Sequence, residues 1–332
     1  MRAWQIQRYG EPDVALGLAE VELPEPGPGE LRIRVEAAAL GLPDVFMSRG
    51  SYAFRPELPA IPGQEVAGSV TAVGKGTSTP VGARVMAVTA FFRGFGGLAE
   101  EALALEASSY PAPAEMAAAE AACFVIPYHT AYLGLVTRGR VQKGETLVVL
   151  GAAGGTGTAA LQVGRALGAR VIAIAGGAAK VEASLRFGAH RAFDHRSEDW
   201  VEAVRRETGG RGADVIYDPV GGEAFEQALG CIASEGRLLS IGNASGRWSD
   251  ASTRLLVGKN ASVVGVFVAA YQKPFLTEVH DKLLALWRDG EITSLATREV
   301  AFDEVASALG DLAERRAIGK WVVLPPPSSR AG

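Results

Sequence analysis

Cysteine is scarce: the chain has two, Cys123 and Cys231. Far apart and set among apolar or small residues, they build neither a disulfide framework nor a thiolate metal cage. They read as buried free thiols. Histidine is limited to four residues, no Cys/His set has ligand spacing, and no metal site is expected. Nothing approaches the run of ~20 apolar residues that a membrane helix needs. Met1-Arg2-Ala3-Trp4 leads into polar sequence without an apolar signal core, so the expected location is the reducing cytoplasm. A formal charge of −4 supplies no broad basic field, which argues against nucleic acid or an anionic membrane as partner. No repeat of fixed period is present.

What is there suits a large α/β protein. Hydrophobic residues make up 48% and charged residues 21%, enough for a sizeable core, and 332 residues suit about two domains. The first 125 residues read as short strands and turns. Leu31-Arg32-Ile33-Arg34-Val35 alternates with period two, and Val66 to Val73 and Ala83 to Val88 are further strand candidates bounded by glycines. From residue 126 to 265 the pattern changes to alternating strands and helices, which predicts a parallel sheet covered on both faces. The strands are Leu147–Leu150, Val171–Ala175, Asp214–Tyr217 and Leu238–Ile241. Residues 266–332 hold helical stretches at Phe275–Arg288 and Asp303–Arg315 and a strand at Trp321–Leu324. Too short for a core of its own, this segment is expected to return to the first domain. Pro325-Pro326-Pro327-Ser328-Ser329 reads as a loose tail.

The strongest motif is Val148-Val149-Leu150-Gly151-Ala152-Ala153-Gly154-Gly155-Thr156-Gly157, which follows a strand and opens a helix. That context is the one a dinucleotide-binding turn requires. Gly154 allows a pyrophosphate to approach the backbone, Gly157 allows helix and strand to pack closely, and the helix N-terminus favours the phosphates. The first glycine of the usual spacing is replaced by Ala152. At the end of the second strand, Ala175-Gly176-Gly177 stands where an NAD site carries Asp or Glu, and Lys180 follows one helical turn on. With no carboxylate to repel a 2′-phosphate and a cation to bind it, Gly176 and Lys180 favour NADPH.

Further blocks are Gly41-Leu42-Pro43-Asp44, Arg49-Gly50-Ser51-Tyr52, Pro62-Gly63-Gln64-Glu65-Val66-Ala67-Gly68 and Pro127-Tyr128-His129-Thr130-Ala131-Tyr132. Others are Phe187-Gly188-Ala189, Tyr217-Asp218-Pro219-Val220-Gly221-Gly222 and Ile241-Gly242-Asn243. With the glycine turn, these make the chain resemble the zinc-independent NADPH:quinone oxidoreductases of the medium-chain dehydrogenase/reductase superfamily over roughly residues 1 to 324. The resemblance implies an α/β protein with a GroES-like β-rich catalytic domain, a doubly wound Rossmann domain and a cleft between them. It implies Thr130 and Phe46 near the nicotinamide and Gly154, Gly155 and Thr156 on the pyrophosphate. Ile241, Gly242, Asn243, Phe267 and Val268 would line the nicotinamide half. Lys180 and Arg316 match the 2′-phosphate site, with His195 where some members carry a tyrosine. A protonated His195 would help hold a phosphate, so affinity is expected to weaken as pH rises.

Zinc-dependent relatives carry a cysteine at the Gly41 position and a histidine at that of Gln64, so two ligands are missing; the four-cysteine lobe is replaced by Phe91-Phe92-Arg93-Gly94-Phe95. Without a Lewis acid, simple alcohol oxidation is not expected. Three readings follow: hydride transfer to a quinone, reduction of an activated C=C bond with Tyr52 as the acid, or a non-catalytic NADPH-binding scaffold. The branch often has Asn at the Gly41 position and Tyr at the Phe46 position, and both departures leave room for a bulkier or more apolar substrate. Asp44 reads as a turn or cap residue or as an organiser of the cleft, and Glu65 as a loop buttress. His129 reads as a surface residue at a helix start or a neighbour of the nicotinamide. The three phenylalanines wall the substrate pocket or pack the core. A homodimer is expected by resemblance, through Ser262-Val263-Val264-Gly265-Val266 extending the sheet.

Overall fold

In the computed structural model, which describes residues 1–326, the chain divides into two compact units. The first comprises 1–126 and 294 onward, the second 127–293. Pro327 to Ser329 of the expected tail lie outside the described residues.

Alternating sequence in the first unit becomes a mostly antiparallel sheet. A hairpin of β1 (Arg2–Ile6) and β2 (Leu16–Glu20) stands apart from it. The main strands are β3 (Glu30–Ala39), β4 (Glu65–Val73), β5 (Arg84–Thr89) and β6 (Glu101–Pro111). They pair in sequence and β6 returns to β3, so the four strands close on themselves and leave no edge on that side. Leu31, Ile33 and Val35 point inward, as the period-two reading requires, and join a core with Val66, Val70 and Val85. The C-terminal segment adds β13 (Ala296–Ala301) and β14 (Lys320–Leu324), with β14 antiparallel to β3. Its helix Val305–Ala313 buries Val305, Leu309 and Leu312 in the same core.

The second unit is a six-stranded parallel sheet in the order β12-β11-β10-β7-β8-β9. Its strands are β7 (Thr146–Leu150), β8 (Arg170–Ala175), β9 (Arg191–Asp194), β10 (Ala213–Asp218), β11 (Ile232–Ser240) and β12 (Ser262–Gly265). β7 is buried at every residue, the mark of a central strand covered on both faces. From β7 the chain winds outward to β9 and then restarts at β10 on the other side. The resulting switch point lies at the carboxyl ends of β7 and β10, where open α/β sheets bind their ligands.

One boundary is corrected. The sequence places the return to the first domain at 266, whereas the second unit runs to Thr293. The helix Lys273–Arg288 carries His280, which meets His129 at 3.1 Å, and Thr293 donates its N–H to Gln162 at 2.6 Å. These long-range contacts hold 266–293 in the nucleotide unit. No spacing within the segment itself announces them.

Candidate functional site

In the second unit, β7 ends at Leu150, Gly151 opens the turn, and the helix Gly155–Ala166 starts with Gly154 as its N-cap. A Cβ at Gly157 would stand 2.4 Å from the Gly151 carbonyl and 2.8 Å from Ala152 Cα, so only glycine lets helix and turn approach this closely. Gly154 has a different task. A Cβ there meets only the Gly151 carbonyl, at 3.3 Å, and the residue is exposed. Thr156 and Gly155 are half-buried beside it, so the first-turn N–H groups face an approachable surface, the electrostatic condition for a pyrophosphate.

Basic side chains follow the end of β8. Lys180 lies in the first turn of the helix Ala178–Arg186. A Cβ at Gly176 would fall 2.7 Å from His195 Nε2 and 2.9 Å from Arg196 Nε, so both side chains lie over that glycine. Asp194 Oδ1 accepts the N–H groups of Gly177 and Arg196 at 2.9 Å each and thereby ties the two loops together. Those bonds, the Gly177 one foremost, hold its carboxyl below the usual range. Arg196 escaped the sequence reading, because its partner loop is formed only when β8 and β9 pair. Arg316 belongs to the first unit, where Asp311 (2.7 Å) and Glu314 hold its guanidinium in a surface ion-pair network.

Thr130 is buried in the helix Val125–Tyr132, and from the same helix the Tyr128 hydroxyl bonds Gln162. His129 is a correction to the surface alternative. It is fully buried, and burial, reinforced by His280, holds its imidazole well below the usual pKa. After β11, the N–H of Ile241 is held by the Asp218 carbonyl at 2.9 Å, with Gly242 and Asn243 following. A hollow of about 540 Å³ is lined by Ile241, Phe267, Arg138, Trp248 and Tyr271. Phe267 is 62% exposed, and Val268 opens the single turn Val268–Ala270 beside it.

In the first unit, Asp44 does what both readings of it asked. Its Oδ2 accepts the N–H of Gly41 at 2.9 Å, closing the start of the helix Leu42–Ser48, and its Oδ1 accepts the N–H of Gly63 at 2.8 Å. Gly63 has φ +103°, and a Cβ there would strike the backbone of Leu98 at 2.6 Å, so the loop before β4 requires glycine. Burial pushes the Asp44 carboxyl up to about 6 against these two bonds and the nearby Lys320 ammonium. Glu65 buttresses the loop, accepting the Ile126 N–H at 2.8 Å and the Lys320 ammonium at 2.9 Å. Lys320 lies 255 residues away along the chain, and its role has no sequence signature.

Zinc-dependent relatives bind their metal at this point, and the residues here do not fit one. A Cβ at Gly41 would stand 3.8 Å from Lys320 Nζ, so any ligand added there would face a cation. Gln64 is a neutral amide, and burial drives the Cys123 thiol far above its usual pKa. Among the described residues, no group of three His, Cys, Asp or Glu side chains is arranged to hold an ion.

Phe46 is half-buried, and its carbonyl accepts the N–H groups of Ser51 and Tyr52, which sets the direction of the Tyr52 side chain. Burial raises the pKa of the Tyr52 phenol and keeps it protonated, an effect that outweighs the opposing influence of the Gln64 amide nearby. The Tyr52 ring lies 6.0 Å from that of Phe54 and 6.3 Å from that of Phe91, and Phe92 lies 5.8 Å from Phe91. Phe91 packs in the core, whereas Phe54 (45% exposed) and Phe92 (38% exposed) present apolar surface. Phe95 takes no part in that cluster; Arg93 covers its ring at 5.4 Å.

Residues 27–114 match the alcohol dehydrogenase GroES-like domain, and residues 155–284 match the family called zinc-binding dehydrogenase. The latter match covers the nucleotide unit and not the Gly41–Gln64–Lys320 region. A quinone oxidoreductase-like protein 2 homolog of Nematostella vectensis is 33% identical over 306 residues, covering 90% of this chain and 82% of the relative. Human quinone oxidoreductase is 28% identical over 98% of both chains. Among solved structures, a probable oxidoreductase from Mycobacterium abscessus is 35% identical with a TM-score of 0.87, covering 98% of this chain and 99% of that one. Escherichia coli quinone oxidoreductase, solved with NADPH, is 27% identical with a TM-score of 0.89, covering 98% and 100%. Likeness of this extent in sequence and fold makes the chain an oxidoreductase of the quinone oxidoreductase-like family within the medium-chain dehydrogenases/reductases.

Proposed function

We propose that the protein is an NADPH-dependent reductase that delivers hydride to a quinone without zinc. The observation that carries this reading is the Lys320 ammonium, paired with Glu65 beside a side-chain-less Gly41. The acceptor must then be one that needs no Lewis acid, and a quinone meets that condition because its oxygens collect protons from water. Bound NADPH supplies the hydride. The chain's own residues bind, orient and exclude water.

Gly154, Gly155 and Thr156 hold the pyrophosphate at the helix N-terminus, next to the exposed turn. Gly176, Lys180, His195 and Arg196 receive the 2′-phosphate; β8 itself ends without a carboxylate, and the nearby Asp194 carboxylate is engaged by the Gly177 and Arg196 N–H groups. Thr130, Phe46, Ile241, Gly242, Asn243, Phe267 and Val268 remain the residues assigned to the nicotinamide half by resemblance. NADPH-complexed relatives such as that of Escherichia coli support this cofactor. Arg316, already held by two carboxylates, is left out of the phosphate set.

One observation favours a second acceptor class. A Tyr52 kept protonated by burial is suited to protonate the enolate formed when an activated C=C bond takes up hydride. NADPH oxidation against ortho- and para-quinones, enones and crotonyl thioesters separates the readings: turnover of enoyl substrates alone replaces the first by the second. Tight NADPH binding with no turnover leaves a scaffold. Parallel NADPH and NADH titrations of wild type and Lys180→Ala test the cofactor, and equal affinities in the wild type refute the phosphate site.

The dimer reading rests on β12, an edge strand whose second side faces no other strand, and on the exposed Trp248, Val257 and Phe267 in the same unit. A second copy would extend the sheet there. The two buried free thiols accord with a reducing cytoplasm.

A further inference from the structure

Gln64 is a buried amide with an unused donor. The residue is 7% exposed, and its Nε2 has no hydrogen-bond partner. An amide N–H₂ removed from water without an acceptor is costly, and such a group is a place where a ligand atom belongs. The backbone around it is pinned. Its carbonyl accepts the Thr89 N–H at 2.9 Å, Gly63 is bonded to Asp44 and to the Thr89 hydroxyl at 2.6 Å, and Glu65 is locked to Lys320. The side chain therefore projects from a rigid turn. Beside it stands the Tyr52 phenol, backed by the rings of Phe54 and Phe91.

We infer that Gln64 is the hydrogen-bond donor that binds and polarises the carbonyl oxygen of a flat aromatic acceptor at the edge of the Tyr52–Phe54–Phe91 cluster. The inference rests on the reductase reading proposed above. A quinone takes up H⁻, a proton with two electrons, from the reduced nicotinamide, which leaves as the oxidised pyridinium. The electron pair moves onto the acceptor oxygen, giving a hydroquinone monoanion that takes its second proton from water. A bond from Nε2 to the oxygen on which that charge grows would strengthen as the reaction proceeds. Where zinc-dependent relatives use a metal, this chain offers a neutral amide, a weaker polariser suited to acceptors that are already electron-poor.

The test uses the full-length protein with NADPH and 1,4-naphthoquinone. Gln64→Leu is expected to lower kcat/KM by about 10- to 100-fold, the worth of a buried donor lost. NADPH affinity and the unfolding temperature stay at wild-type values. A parallel titration, read by tryptophan fluorescence, compares xanthone with xanthene, its counterpart lacking the carbonyl oxygen. Wild type binds xanthone more tightly, and Gln64→Leu abolishes the difference. Should Gln64→Leu lose the wild-type unfolding temperature, the isosteric Gln64→Glu, which accepts but does not donate when ionised, replaces it with the same expected losses. If naphthoquinone is not reduced by wild type, the reductase reading fails, while the xanthone comparison still decides on Gln64. Wild-type kcat/KM and an unchanged preference for xanthone in the variants overturn the inference.

Discussion

Replacing Lys320 with methionine removes one charge from the interior of the first unit and keeps most of the side-chain volume. The ammonium lies 2.9 Å from Glu65, with 11% of the lysine side chain and 3% of the glutamate exposed. Burial of the lysine works against its charge, yet the Glu65 carboxylate and other neighbours outweigh it and hold the ammonium above its usual pKa. Without Lys320, Glu65 retains the Ile126 N–H and faces the Asp44 carboxyl in a dry setting. Breaking a buried pair from one side costs about 3–5 kcal/mol, since the remaining charge is uncompensated. For a domain of this size that lowers the unfolding temperature by roughly 6–20 °C. Removing both charges, in Lys320→Met with Glu65→Gln, is expected to recover about 2 kcal/mol or more of the summed single losses. Thermal and urea unfolding serve as the assay, with Trp4 and Trp321 reporting from the core of the first unit and the two units fitted as separate transitions. A single variant within about 0.5 kcal/mol of wild type, the range of ordinary surface substitutions, or losses that simply add, would refute the reasoning.

Three other outcomes are expected. Asp44, held protonated up to about 6 against 3.8 for a free side chain, contributes stability that is fully present below 3.8 and lost as pH rises through 6. That interval is worth about 3 kcal/mol, so the stability deficit of Asp44→Ala shrinks by most of that amount between pH 4 and pH 7; a pH-independent deficit in urea unfolding contradicts it. Gly157→Ala places a methyl 2.4 Å from the Gly151 carbonyl, and the overpacking costs roughly 1–3 kcal/mol with a parallel loss of NADPH affinity. Calorimetry and titration matching wild type would show that the turn has slack. If the proposed sheet extension through β12 forms a dimer, sedimentation velocity finds wild type dimeric and Val264→Pro combined with Phe267→Lys monomeric; a monomeric wild type or an unaltered dimer overturns that proposal.

The two architectures were open to a reader of the sequence because each depends on local periodicity. Alternation at Leu31–Val35 dictates one buried face, and a four-residue apolar run ending in glycine at Leu147–Gly151 dictates a central strand with a turn. The phosphate turn was legible for the same reason: Gly151 to Gly157 is contiguous, and its chemistry resides in backbone N–H groups. Asp44 was half legible. Its cap on Gly41 is local, but its bond to Gly63 spans 19 residues.

What the fold alone decided is the company each side chain keeps. Lys320 meets Glu65 across 255 residues because β14 docks against β3, and the resulting ammonium stands beside Gly41. Arg196 comes to lie over Gly176 because β9 pairs with β8, and His129 is buried because the helix Lys273–Arg288 stays with the nucleotide unit. Gln64 reads in sequence only as a missing histidine, and its unpaired donor exists only once Asp44, Thr89 and Lys320 have fastened the residues on either side. Periodicity records which face of an element is buried; it carries no record of which distant charge or donor will be waiting there.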